Sequence, residues 1–155
     1  LLVERVRFIK SLSSFASIPG DSITRMVDAM NQRKVDKGSV LIYEGDSVDL
    51  PLFVIIKGKV DLMRSGAVFK SLGPKDIMGE EVILFTEKYT YQAVAKEETS
   101  FFILPKEEIF DLMTLHSEIL RAFLDLIDTS IKSESIDPFD LSISMTGSIS
   151  LYVVT

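Results

Sequence analysis

The residues with the clearest chemical potential lie between positions 79 and 91. Gly79 is followed by two adjacent carboxylates, Glu80 and Glu81, and Tyr89 and Thr90 come about ten positions later. Adjacent carboxylates do not face each other across a cleft, as hydrolysis of a glycosidic bond requires. Carboxylates also favour the first turn of a helix. Glu80 and Glu81 could therefore bind a ligand or could simply lie in the solvated first turn of a helix, and for Glu81 we favour the helix turn. Gly79 serves either a turn that needs a positive φ or close approach to a ligand.

Catalytic residue types are scarce in the rest of the chain. It contains no cysteine, and its single histidine, His116, is expected to be an exposed helix residue. A metal site built from several histidines and catalysis by a thiol are therefore excluded within one chain, and a serine nucleophile paired with a histidine base is disfavoured. No glycine-rich loop ending in Lys-Ser or Lys-Thr is present to bind a nucleoside triphosphate. We therefore predict that the chain is not an enzyme and holds no metal.

Composition narrows the range of partners. The 155 residues have the length of one domain, and their net charge of -6 argues against nucleic acid, which is bound by clustered Lys and Arg. The longest apolar run, 50–56, is far shorter than a membrane span, and charges interrupt the first residues at once, unlike a signal peptide. We expect a cytoplasmic domain, and the cytosolic part of a larger or membrane-associated protein is one form that it could take.

The spacing of apolar residues divides the chain into three regions followed by a tail. Residues 1–31 have helical spacing, with Asp21 expected to cap a second helix. Residues 33–104 contain short apolar runs separated by glycine turns, which predicts an antiparallel roll, with Glu97 and Glu98 at a hairpin tip. The predicted strands include 40–43, 52–56, 59–64 and 67–72. Residues 106–132 read as helices with a break near His116.

The Ser-rich tail, residues 135–155, alternates apolar and polar side chains on either side of Thr146-Gly147. This pattern predicts a β-hairpin. We therefore predict that the domain comprises residues 1–134 and that the tail begins at residue 135. An exposed strand pair could be extended by another chain, so a homodimer is one arrangement that the tail would allow.

Several motifs together resemble the cyclic-nucleotide-binding domain family. They are Lys37-Gly-Ser-Val-Leu-Ile-Tyr-Glu-Gly-Asp46, Phe53-Val-Ile-Ile-Lys-Gly-Lys-Val60 and Leu72-Gly-Pro-Lys-Asp-Ile-Met-Gly-Glu80. The resemblance covers roughly residues 3–132. It implies a mainly β fold, a double-stranded β-helix or jelly roll, with flanking helices at both ends.

The resemblance also implies a phosphate-binding cassette starting at Gly79. By position, Gly79 would allow close backbone approach, Glu80 would bind the ribose hydroxyl, and Thr90 would touch phosphate or base. Backbone N–H groups of Glu81, Val82 and Ile83 would cradle the phosphate. The family's phosphate-binding arginine is replaced by Tyr89.

Because the sequence differs from the family pattern at Tyr89 and Glu81, two functional hypotheses stay open. One is a regulatory sensor that couples a cyclic nucleotide (cAMP or cGMP) or another small anion to helix movement and an attached effector. In this hypothesis the sequence resembles sensor domains attached to bacterial membrane transporters or to helical-repeat proteins. The alternative is a degenerate roll that serves protein interaction or oligomerisation. Tyr89 brings no positive charge and Glu81 repels phosphate, while Lys88, one residue before Tyr89, would point to the opposite face of a strand. Tyr89 and Tyr91 are expected to pack in the core or at its rim.

Overall fold

The computed structural model describes residues 2–81 and 87–133, with side chains described to residue 128. Within this part of the chain the helices are α1 (Leu2–Lys10), α2 (Gly20–Asp28), α3 (Lys106–Leu115) and α4 (Ser117–Ser133), with a 3₁₀ turn at Ser13–Phe15. The strands are β1 (Asn31–Val35), β2 (Val40–Ile42), β3 (Leu52–Lys57), β4 (Val60–Arg64), β5 (Ala67–Leu72), β6 (Ile77–Met78), β7 (Gln92–Ala95) and β8 (Thr99–Leu104).

The strands form two antiparallel four-stranded sheets. One has the order β1-β8-β3-β6 and the other the order β2-β7-β4-β5. Apart from the paired strands β4 and β5, successive strands alternate between the two sheets, as in a jelly roll. The predicted roll between flanking helices is therefore confirmed.

Contacts divide the chain into two compact units, Leu1–Phe123 and Leu124–Thr155. The first contains both sheets and every described helix up to the first turns of α4. The described part of the second is the remainder of α4. The predicted tail, 135–155, lies outside the described residues, so the hairpin and the boundary at 134 stay predictions.

Apolar side chains from both sheets form a continuous core inside the roll. Its buried members are Ile42, Phe53, Ile55, Val60, Leu62, Leu72, Met78, Tyr89, Tyr91, Ala93, Phe101 and Ile103. They come from alternate positions of the strands, because side chains one residue apart point to opposite faces of a sheet. The expectation that Tyr89 and Tyr91 pack in the core is confirmed.

Four local predictions are wrong. Helix α2 begins at Gly20 after Pro19, so Asp21 lies in the first turn and does not cap it. The predicted helical region 1–31 overruns, because Asn31 already starts β1. Glu97 and Glu98 are not at a hairpin tip, since β7 and β8 belong to different sheets.

His116 is also not an exposed helix residue. It is half-buried with extended backbone (φ -134°, ψ 105°) between α3 and α4. The break predicted there is confirmed.

Candidate functional site

Gly79 follows β6 and holds the chain in a position that a larger residue could not adopt. Its φ is +93°, in the left-handed region. A Cβ placed on it would lie 2.7 Å from the carbonyl oxygen of Pro51 and 3.5 Å from the Phe53 ring. The backbone at residue 79 therefore passes so close to Pro51 and Phe53 that only glycine fits there, whether or not a ligand binds.

Tyr89, at the position of the family's arginine, is buried inside the roll with 2% of its surface exposed. Backbone hydrogen bonds hold it on both sides: its N–H donates to the Asp46 carbonyl (2.9 Å), and its carbonyl accepts from the Gly45 N–H (2.8 Å). The Leu50 N–H donates to its hydroxyl oxygen at 3.3 Å. The side chain thus fills the interior and ends on the backbone of the loop before β3.

The hydroxyl of Tyr89 stays uncharged at neutral pH. Burial raises its pKa to about 12, the negative charges of Glu81 and Asp49 add to this, and the bond from Leu50 opposes it. Unlike arginine, this side chain brings no positive charge to the interior.

Tyr91 extends the same buried surface. Its ring centroid lies 6.1 Å from that of Tyr89 and 6.3 Å from that of Phe69, both edge-to-face. Burial raises the pKa of Tyr91 well above its usual value, and the nearby charge of Glu81 and a hydrogen bond to its carboxylate raise it further. A bond that raises a tyrosine pKa is one in which the hydroxyl donates to the carboxylate. Tyr91 is therefore a neutral donor to Glu81.

The two carboxylates Glu80 and Glu81 both act on this tyrosine. Each is half-buried, and each contributes charge that raises the pKa of Tyr91. Glu81 has helical backbone, as expected at a helix start, but the prediction that its side chain is solvated is wrong, because folding brings Tyr91 to it. The structure thus brings Glu80, Glu81, Tyr89 and Tyr91 together around the roll interior.

Thr90 lies apart from this cluster. It is exposed, and Arg64 donates from Nε to its carbonyl oxygen (3.0 Å) and from Nη2 to its hydroxyl (3.3 Å). The Arg64 guanidinium also lies 4.3 Å from the centroid of the Phe69 ring. Lys88 is exposed as well, in an isolated bridge with Ser47. Neither Thr90 nor Lys88 accompanies Tyr89 into the interior.

Val82 and Ile83 lie outside the described residues. Their role as backbone N–H donors therefore stays a prediction.

Sequence reasoning missed Lys70 on β5. It lies directly opposite Leu62 on β4, and opposite residues of an antiparallel pair share one face. Leu62 and Leu72, two residues beyond Lys70, both belong to the roll core. Lys70, which is half-buried, therefore starts from the interior face of its sheet. The alternation of β5 could have indicated this only once the register with β4 was known.

The described residues contain no cluster of three or more His, Cys, Asp or Glu arranged to hold a metal ion. Among them, no helix combines the length and apolarity needed to cross a bilayer.

Comparisons with known proteins agree with this architecture. The family model described as the cyclic nucleotide-binding domain matches residues 32–116. The cGMP-dependent protein kinase 2 of Homo sapiens is 24% identical over 124 residues, covering 76% of this chain and 16% of the kinase. The regulatory domain of Toxoplasma gondii PKA, co-crystallised with cAMP, gives a TM-score of 0.72 at 15% identity, covering 85% of this chain and 50% of that one. The sensor domain of the transcriptional regulator DNR from Pseudomonas aeruginosa gives 0.71 at 14% identity, covering 86% and 92%.

The family match spans more than half of the chain, which therefore belongs to the cyclic nucleotide-binding domain family. The two solved structures show that the fold is shared. The chain spans 16% of the length of the human kinase.

Proposed function

We propose that this member of the cyclic nucleotide-binding domain family is a regulatory domain whose roll is closed by its own tyrosines. In this proposal the domain acts through protein contacts of its helices and not through a bound cyclic nucleotide. The observation that carries it is the buried pair Tyr89 and Tyr91 (2% and 5% exposed), hydrogen-bonded to Leu50 and Glu81, where a cyclic phosphate would need a cation.

Electrostatics support the proposal. A cyclic phosphate carries one negative charge and would approach the half-buried carboxylate of Glu81, an additional negative charge next to Glu80. Replacing a charge-assisted hydrogen bond from arginine by tyrosine removes about 1.5–3 kcal/mol, or about ten- to hundredfold in affinity. Repulsion by Glu81 adds to that loss.

Packing supports it as well. To admit a nucleotide, Tyr89 would leave a site where only 2% of it is exposed and would lose the bond from Leu50. Exposing a buried aromatic side chain costs about 2–3 kcal/mol, so displacing both tyrosines would cost more than one charge-assisted bond returns.

Calorimetric titration with cAMP and cGMP up to about a millimolar tests the proposal. We expect no binding heat and no thermal stabilisation for the wild-type domain. The variant Tyr89→Arg/Glu81→Leu restores the cation and removes a carboxylate, and we expect it to bind a cyclic nucleotide with a Kd below about 100 μM. Wild-type binding in the micromolar range would contradict the closed roll.

A second candidate is a nucleotide or small-anion sensor in which Lys70 replaces the missing arginine. The register that places half-buried Lys70 on the interior face of β5 favours it specifically. In that case wild-type binding would be measurable and Lys70→Met would abolish it, with Lys88→Met as a matched control on the exposed side. If the roll is closed, neither lysine variant changes the titration.

We further propose that the chain is one domain of a larger, cytoplasmic regulatory protein and is itself non-catalytic. Its 16% coverage of the human kinase fits an attached effector elsewhere in the polypeptide. Comparing the activity of the full-length protein with that of a form lacking this domain would show whether the domain controls such an effector.

A further inference from the structure

A groove of about 390 Å³ lies between α2 and α3, outside the roll. Its apolar lining includes Ala29 and Leu112, and Leu115 stands at the same groove with 71% of its surface exposed. Leu112 and Leu115 are three residues apart and lie on one face of α3. An exposed leucine next to apolar side chains in a groove can anchor the apolar face of another helix.

Carboxylates dominate the charge around this groove. Asp28 of α2 and Glu108 and Asp111 of α3 line it, against one guanidinium, that of Arg25. Within residues 2–81 and 87–133, none of these four side chains forms an ion pair. The groove therefore offers negative charge that a cationic partner could satisfy.

Side-chain hydrogen bonds fix one end of the groove. The Ser22 hydroxyl, 4% exposed, lies 3.4 Å from His116 Nδ1 and donates to Glu118 Oε1 at 3.5 Å. These contacts join α2 to the junction between α3 and α4. Because His116 itself lines the groove, these contacts restrict one lining residue before a partner binds, which lowers the ordering entropy that binding costs.

We propose that this groove binds a basic amphipathic helix of a partner protein. Apolar residues of that helix at i, i+3 or i+4, and i+7 pack on Leu112 and Leu115, and its Lys or Arg residues pair with Asp28, Glu108 and Asp111. A second copy of this chain, with a net charge of -6, and nucleic acid are both disfavoured by like charge. The inference rests on the proposed function, because it names the partner chemistry for a domain that acts through protein contacts.

Two synthetic 18-residue helical peptides test the inference, one of Leu and Lys and one with every Lys replaced by Glu. Fluorescence anisotropy would follow binding, and ¹⁵N chemical-shift mapping would locate it. We expect the Lys peptide to bind with a Kd of tens of micromolar on α2 and α3, and the Glu peptide not to bind. Leu115→Ser and Glu108→Lys should each weaken the Lys peptide about five- to tenfold.

Glu107→Lys is the matched control, because Glu107 is exposed in the same first turn of α3 but does not line the groove. It has the same net charge and the same helix-dipole change as Glu108→Lys, and we expect less than a twofold effect. Equal losses in both variants, shifts mapped elsewhere, or no binding up to about a millimolar would overturn the inference.

If the wild-type domain binds cAMP while the peptide results hold, only the closed roll fails. The peptide results alone decide the groove.

Discussion

Substituting Gly79 with alanine measures how much of its role is structural, independently of any ligand. The change imposes two costs that the structure separates. A non-glycine residue at φ +93° costs about 1–2 kcal/mol, and relieving a 2.7 Å contact between Cβ and the Pro51 carbonyl oxygen costs about 1–3 kcal/mol more. We expect the free energy of unfolding to fall by about 2–5 kcal/mol, and Tm by about 10 °C.

Two other glycines provide the controls. Gly66 also has a positive φ (+81°), but a Cβ placed there meets nothing within 4 Å, so Gly66→Ala should cost only the backbone term of about 1–2 kcal/mol. Gly73, six residues before Gly79, has neither the positive φ nor a close contact, and Gly73→Ala should change stability by less than about 1 kcal/mol.

Urea denaturation of the three variants, followed by circular dichroism at neutral pH, gives the comparison. The ordered series Gly73, Gly66, Gly79 is the expected result. A Gly79→Ala variant that loses no more stability than Gly66→Ala would refute the packing argument. The glycine would then be free for a ligand role.

Three further predictions concern the interior and its outer rim. Tyr91→Phe removes the hydroxyl that donates to Glu81 and should destabilise the domain by about 1–2 kcal/mol in urea at pH 7. Because the pKa of Tyr89 rises from 10 to about 12 on folding, its contribution to stability is present below pH 10 and lost as the pH rises toward 12, by up to about 1.4 kcal/mol per pH unit. Unfolding measured from pH 9 to 12 should show this slope, and Tyr89→Phe should reduce it. Thr90 lies outside the cluster of Glu80, Glu81, Tyr89 and Tyr91, so Thr90→Val should change Tm by less than about 3 °C and should not change nucleotide binding. Loss of nucleotide binding in this variant would show that Thr90 is a ligand residue.

The fold was predictable because its signals are local. Glycines that need special backbone angles mark the turns, as at Gly79, and short apolar runs such as 52–56 mark strands that end near the predicted limits. The helix break at His116 was also predictable from the neighbouring residues, but the burial of the His116 side chain was not. The contact with Ser22 joins residues 94 positions apart and has no signature in either segment.

The composition of the site was predictable only in part. Position alone located Tyr89 in place of the arginine. The burial of Glu81 beside Tyr91 and the inward face of Lys70 depend on how strands pair across the roll, and the β4–β5 register itself shifts between Leu62 and Met63. A one-residue change of register would reverse the face of Lys70, so its direction cannot be obtained from sequence alone.

A ligand switches a regulatory domain only through its different affinity for two states of that domain. In a roll that binds a cyclic nucleotide, an arginine–phosphate contact supplies part of that difference. Here Tyr89 and Tyr91 occupy the interior themselves, with hydrogen bonds to Leu50 and Glu81. If the roll is closed as proposed, the free energy for switching would come from outside it, and Glu108, which has no ion pair within the described residues, would be one group that a partner could contact. A partner that binds one helix arrangement about a hundredfold better than the other would supply about 2.7 kcal/mol, as much as the arginine contact that is missing.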